Sequence, residues 1–155
     1  MMTTEDREER AVALFREGYN CAQAVVAAYA DLYGLDTETA LRLSASFGGG
    51  MGRMRQVCGA VSGMLMVNGL DNGSSDPADK QAKQRNYAKV QELAAAFRAE
   101  NGSIICGELL AGTCPKVADS PVPSDRTEEY YRKRPCADYV RCSARLIATH
   151  LLKQD

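Results

Sequence analysis

The sequence predicts an all-α fold: a single-domain bundle of six or seven helices spanning residues 1–155. Three observations carry this. The chain holds 22 Ala and 13 Leu against 10 Val and 3 Ile, and Ala and Leu favour helix where β-branched residues favour strand. Apolar residues recur at helical spacing, with capping residues ahead of them and glycines behind. The length suits one domain, and 45% apolar residues suffice for one core. No internal repeat breaks the pattern.

The first helix starts at Thr3 or Thr4, carries Ala11, Leu14 and Phe15 on one face and stops at Gly18. Asn20 has N-cap chemistry, with Gln23 in the capping-box position. The second helix sets Val25, Val26, Tyr29 and Leu32 on one face and ends at Gly34. Asp36 caps a third, which holds Leu41, Leu43 and Phe47. After the glycine-rich segment Gly48-Gly49-Gly50-Met51-Gly52-Arg53, a fourth helix over about 54–68 is ended by Gly69. It is apolar on nearly every side, so it is expected buried at the centre of the bundle. Asp71 to Ser75 reads as a surface turn. Asp76-Pro77-Ala78-Asp79 reads as a helix start, and the fifth helix runs to about Ala99, closing at Asn101-Gly102. Ser103 caps a short sixth helix over 104–111, ended by Gly112. Residues 113–126 hold three of the five prolines and read as a loop. Thr127 starts a helical turn, and Pro135 opens the last helix, with Tyr139, Val140, Ile147 and Leu151 facing inward.

Charge and composition exclude several classes of function. Lys+Arg is 19 and Asp+Glu 20, so no basic surplus calls for nucleic acid. No apolar run approaches the roughly 18 residues that span a bilayer, so no membrane is expected. The acidic start, Glu5 to Glu9, lacks the apolar segment of a secretory signal. The expected setting is the cytoplasm, where structural disulfides are rare. A single histidine, His150, expected alone and facing solvent, gives no Cys–His dyad and argues against a hydrolase. The six cysteines are then the only chemistry that composition offers.

Those six are Cys21, Cys58, Cys106, Cys114, Cys136 and Cys142. None forms a Cys-x-x-Cys pair, so zinc-ribbon, thioredoxin-type and ferredoxin-type spacings are all absent. Position is more telling. Cys21 follows Asn20, Cys136 follows Pro135, Cys106 lies in the first turn after Ser103, and Cys58 lies within two turns of the glycines. All four sit at expected helix starts, where the dipole and unpaired N–H groups stabilise a thiolate. The basic run Arg132-Lys133-Arg134 adds to this at Cys136. Buried packing is the competing reading for each thiol. Cys142 lies about 240° round the helix from Cys136, which makes it an auxiliary or packing thiol. Cys114, before Pro115, is either a resolving thiol or simply exposed. Glu108 is expected to complement the helix dipole.

The glycine segment lacks a Gly-Lys-Ser/Thr and follows no strand, so it is not a phosphate loop. Two readings stand: Gly48, Gly49, Gly50 and Gly52 let backbone N–H groups face a ligand or sulfur, or they turn a tight corner. Gly59 and Gly63, four apart, give a small-residue stripe that admits a second helix or a cofactor.

The segments Gly18-Tyr19-Asn20-Cys21-Ala22-Gln23-Ala24-Val25, Phe47 to Arg53, and Val57-Cys58-Gly59-Ala60-Val61-Ser62-Gly63 resemble the C_GCAxxG_C_C family of small prokaryotic proteins named for four cysteines. The likeness continues through Asp76-Pro77, Cys106-Gly107-Glu108-Leu109-Leu110 and Cys136-Ala137-Asp138-Tyr139-Val140-Arg141. This chain reads Cys-Gly-Ala where the family label reads Gly-Cys-Ala. The family's cysteines carry over as Cys21, Cys58, Cys106 and Cys136. The resemblance implies redox activity, or a bound zinc or iron–sulfur centre with these four as ligands.

The expectation is thus a redox protein whose thiols converge near Gly48–Gly52 and Gly59, with Cys21 and Cys58 as the favoured pair. Its partner would be a redox protein or a small-molecule electron acceptor. The alternatives are a metal- or iron–sulfur-binding protein and a structural module with inert thiols. The apolar fourth helix leaves a homo-oligomer open.

Overall fold

Capping chemistry sets most helix starts. The computed structural model describes residues 2–111 and 119–152. Helix α1 (Thr4–Arg16) opens on a reciprocal box: the Asp6 amide donates to Thr3 Oγ1 at 3.1 Å, and the Thr3 amide donates to Asp6 Oδ2 at 2.7 Å. Asn20 and Gln23 repeat this for α2 (Cys21–Tyr29), at 2.9 and 3.0 Å. A 3-10 turn, Ala30–Tyr33, follows and leaves through Gly34 at φ +69°. Asp36 caps α3 (Thr37–Ser44), which runs into a 3-10 turn, Ala45–Phe47. Then come α4 (Gly59–Asn72), α5 (Lys80–Asn101), α6 (Cys106–Leu110), α7 (Glu128–Lys133) and α8 (Cys136–His150). Among the described residues there are eight α-helices and no strand, only one isolated bridge. The fold is all α, as composition predicts. No described helix is long and apolar enough to cross a membrane. Gly112 and Cys114 lie outside the described residues.

Three boundaries differ from expectation. Helix α4 begins at Gly59, not near Met54, and runs through Gly69 to Asn72. The reason lies upstream. Gly49, Gly50, Met51, Gly52 and Arg53 are consecutive left-handed residues with φ from +58° to +73°, and Arg55 adds another at +60°. A right-handed helix cannot start among them. Helix α5 takes Asp79, not Asp76, as its cap, at 2.9 Å from the Ala82 amide. Ser103 does not cap α6; its hydroxyl accepts from the Ile105 amide at 2.9 Å.

Two helices, not one, form the centre. Helix α4 packs most extensively on α2, then on α5 and α8. Helix α2 is itself buried from Ala22 to Tyr29 on every side except Gln23. The two cross at the small-residue stripe. A Cβ on Gly63 would stand 2.9 Å from the Ala22 carbonyl oxygen, and one on Gly59 would stand 3.2 Å from Cys21 Cβ. The stripe therefore serves close helix packing. The fully buried Tyr29 hydroxyl donates to the Ala144 carbonyl at 2.6 Å. It ties α2 to α8 and satisfies a polar group that burial would otherwise leave at a cost.

Candidate functional site

Four helix starts meet at one place. Cys21 is the first residue of α2, Cys58 caps α4, Cys106 begins α6 and Cys136 begins α8. All four line a single cavity of about 40 Å³, together with Gly49, Gly50 and Gly59.

Local backbone pairing explains how they arrive. Residues 55–58 run antiparallel to 104–107. The Cys58 amide donates to the Ile104 carbonyl at 2.7 Å, and the Cys106 amide donates to the Gln56 carbonyl at 2.6 Å. A bridge between Val57 and Ile105 joins them. This sets Cys58 and Cys106 on neighbouring strands of chain. The left-handed turn closes the same wall: a Cβ on Gly50 would lie 2.7 Å from Cys106 Cβ and from the Gln56 nitrogen. Only glycine fits there. Gly48 presses on the Asn20 side chain, within 2.5 Å of a would-be Cβ, and so secures the cap beside Cys21.

The pair favoured from the sequence is Cys21 with Cys58; among the cavity thiols, Cys136 is the one that acts most strongly on Cys21. The environments of Cys21 and Cys136 push them apart. Cys21 lowers the Cys136 pKa; burial opposes this, and the guanidiniums of Arg134, Arg126 and Arg55 add to the lowering. Cys136 raises Cys21 well above an ordinary thiol, with burial and the neighbouring sulfurs acting in the same direction.

Helix starts are expected to favour a thiolate at all four cysteines; burial works against this, most clearly at Cys58 and Cys106. Burial pushes Cys58 up to about 12, outweighing the Ala60 and Val61 amides near its sulfur. Burial also raises Cys106, although Arg55 Nη1 donates to its sulfur at 3.8 Å. A helix dipole is worth about 1 kcal/mol, and full desolvation of a charge exceeds it.

Arg134 comes from the basic run noted in the sequence. Arg55 and Arg126 do not, and no local signal marks them. Arg126 is pinned by the carbonyls of Phe15 and Tyr19, each at 3.1 Å, and lies 4.6 Å over the Phe15 ring. Arg134 lies 4.5 Å over the Tyr130 ring. Tyr130 and Tyr139 complete the walls. Cys142 stays away from the cavity, buried beside Asn101 and Glu100. Glu108 accepts from the Ser103 hydroxyl at 3.0 Å. His150 faces Glu92 at 2.7 Å instead of standing alone in solvent.

Among the described residues, no three Cys, His, Asp or Glu side chains meet as a set that would hold a metal ion. The four sulfurs line one space, but as they stand they do not form the closed donor set of zinc or a cluster. Gly48 and Gly52 line a wider cleft of about 380 Å³ next to the cavity.

Fold and site together define a class: a helical protein with four cysteines and a cationic wall on one cavity. The chain belongs to the family described as "Putative redox-active protein (C_GCAxxG_C_C)", whose model matches residues 19–150. Comparison with curated proteins and with solved structures gives no match.

Proposed function

We propose that the protein is a dithiol–disulfide redox protein in which Cys136 attacks and Cys21 resolves. One observation carries this reading: Cys21 and Cys136 begin two helices on one cavity that Arg55, Arg126 and Arg134 also line, and Cys21 together with those cations draws the Cys136 pKa down while that of Cys21 is raised. A low-pKa thiolate with a protonated neighbour is the arrangement that thiol exchange needs.

The steps balance as follows. The Cys136 thiolate attacks one sulfur of an acceptor disulfide. That S–S bond breaks, a mixed disulfide forms on Cys136, and the other half leaves as a thiolate. The negative charge that held the Cys21 proton is now gone, so Cys21 ionises more readily. Its sulfur then attacks Cys136, and the second half of the acceptor leaves. The Cys21 proton and one from solvent neutralise the two leaving thiolates. Two electrons pass from the protein dithiol to the acceptor, and a protein disulfide remains. Cys58 and Cys106 line the same cavity with raised pKa values and act as walls, not nucleophiles. The partner is a redox protein or a small-molecule acceptor, and the setting that suits free thiols is the cytoplasm.

Titration in graded redox buffers, with peptide mapping, tests this. The expected result is a reversible two-electron step that links Cys21 to Cys136. If no pair titrates reversibly and Cys136 alkylates no faster than in the unfolded chain, the thiols are inert packing and the reading fails.

The second reading, a zinc or iron–sulfur centre, is favoured by the four cysteines lining one cavity. It requires the sulfurs to close into a donor set and three of them to lose raised pKa values. Anaerobic purification with metal analysis separates the two: stoichiometric iron or zinc would replace the dithiol reading.

A further inference from the structure

The cleft of about 380 Å³ shares Asn20, Gly49, Arg55, Arg126, Tyr130 and Arg134 with the cysteine cavity, so the two spaces adjoin. Arg53 lies on its outer part and does not reach the inner cavity. Four guanidiniums therefore line the cleft. No acidic side chain is among the described residues lining either space.

The contacts of Arg126 and Arg134 fix them without neutralising them. Arg126 donates to two backbone carbonyls. Arg134 stacks on Tyr130 and reaches the Ser124 hydroxyl at 3.5 Å. The charges also crowd one another: burial, then the nearby Arg55 and Arg134, pushes the Arg53 pKa down. Arginine forks suit carboxylates in particular. A space of this size takes a small molecule.

We propose that this cleft is the subsite for the carboxylates of a small anionic disulfide, held so that its sulfur pair meets Cys136 at the inner cavity. The proposal rests on the dithiol reading above and names its acceptor class. The reaction is the exchange already written. The carboxylate-bearing thiolates that leave are themselves anions, which the same guanidiniums stabilise.

The test uses the reduced full chain and three symmetrical disulfides of similar size: dithiodipropionate (anionic), hydroxyethyl disulfide (neutral) and cystamine (cationic). The second-order rate of Cys21–Cys136 bond formation is measured for each, at low and high salt. The expected order is anionic, then neutral, then cationic, with the anionic reagent faster than the neutral one by at least about tenfold at low salt. Added salt should narrow the gap. R53Q should lower the ratio of anionic to neutral rates, and R53K should restore part of it. Because the ladder of reagents uses the native chain, it does not depend on a variant folding. If the neutral disulfide reacts and the three rates follow no charge order, the subsite is wrong while the dithiol function stands. If none of the three reacts, both fail together.

Discussion

At Cys136 the neighbouring Cys21 and three cations outweigh burial; at Cys58 nothing does. The two residues therefore predict opposite pH behaviour. Alkylation of Cys136 by neutral iodoacetamide should follow an apparent pKa below the ordinary thiol range. Cys21→Ala removes that neighbour, so the apparent pKa should rise and the rate at neutral pH should fall several-fold. Cys21→Ser keeps a hydroxyl there and should retain more of the wild-type profile. Cys58 behaves otherwise, because its folded pKa is raised from 9.0 to about 12. The folded state disfavours its thiolate, so the stability it contributes is intact below pH 9 and lost as pH rises towards 12. For a fully buried thiol that amounts to on the order of 4 kcal/mol. Denaturant midpoints at pH 7 and in the alkaline range should show a steep loss. Cys58→Ala should flatten it, at a cost of about 1–2 kcal/mol at pH 7 from the space left behind. Part of the slope will remain, since Tyr29 and Cys142 are raised to about 12 and about 11. None of this could be read from helix position alone. Position marks all four cysteines alike, and burial and the remote Arg55 and Arg126 separate them.

Between elements, two glycines of α4 behave differently. Gly63 faces α2, where a Cβ would stand 2.9 Å from the Ala22 carbonyl oxygen and 3.1 Å from Val25 Cβ. Gly63→Ala should destabilise by about 1–3 kcal/mol, despite its gain in helix propensity. Gly69 lies in the same helix with nothing within 4 Å of a would-be Cβ. Gly69→Ala should stabilise by about 0.5–1 kcal/mol. Thermal or urea unfolding of the two variants decides both. The left-handed turn gives a third case. Met51 holds φ +69° and is about one-third exposed, at 37%. Met51→Gly should relieve about 1 kcal/mol of backbone strain. Capping boxes such as Thr3–Asp6 and Asn20–Gln23 were legible because their chemistry is local. The late start of α4 was not, because Met51, Arg53 and Arg55 carry no preference for left-handed backbone. What holds them there is the pairing of 55–58 with 104–107, almost fifty residues away.

Across the whole molecule, the proposed dithiol would join the first third of the chain to its last helix. A Cys21–Cys136 bond would close a loop of more than a hundred residues. The oxidised chain should therefore be more stable than the reduced one, by about 4–5 kcal/mol on loop entropy alone. Comparing urea midpoints with and without reductant checks this, and an unchanged midpoint would count against that pairing. The all-α class was open to reading because composition and period bear on every segment. The proposed pairing of Cys21 with Cys136 is not legible in the sequence, because it depends on α2 docking against α8, where Tyr29 meets Ala144.

The four thiols also differ in when they exist. A chain is made from its N-terminus, so Cys21, Cys58 and Cys106 leave the ribosome before Cys136 is synthesised. Until then the cavity lacks α8, and the thiol whose pKa is lowered is missing from it. A product truncated before α8 would carry Cys21, Cys58, Cys106 and Cys114 but not the proposed attacking thiol. On the proposed roles, the order of the elements along the chain delays thiol exchange until synthesis has passed the last helix start.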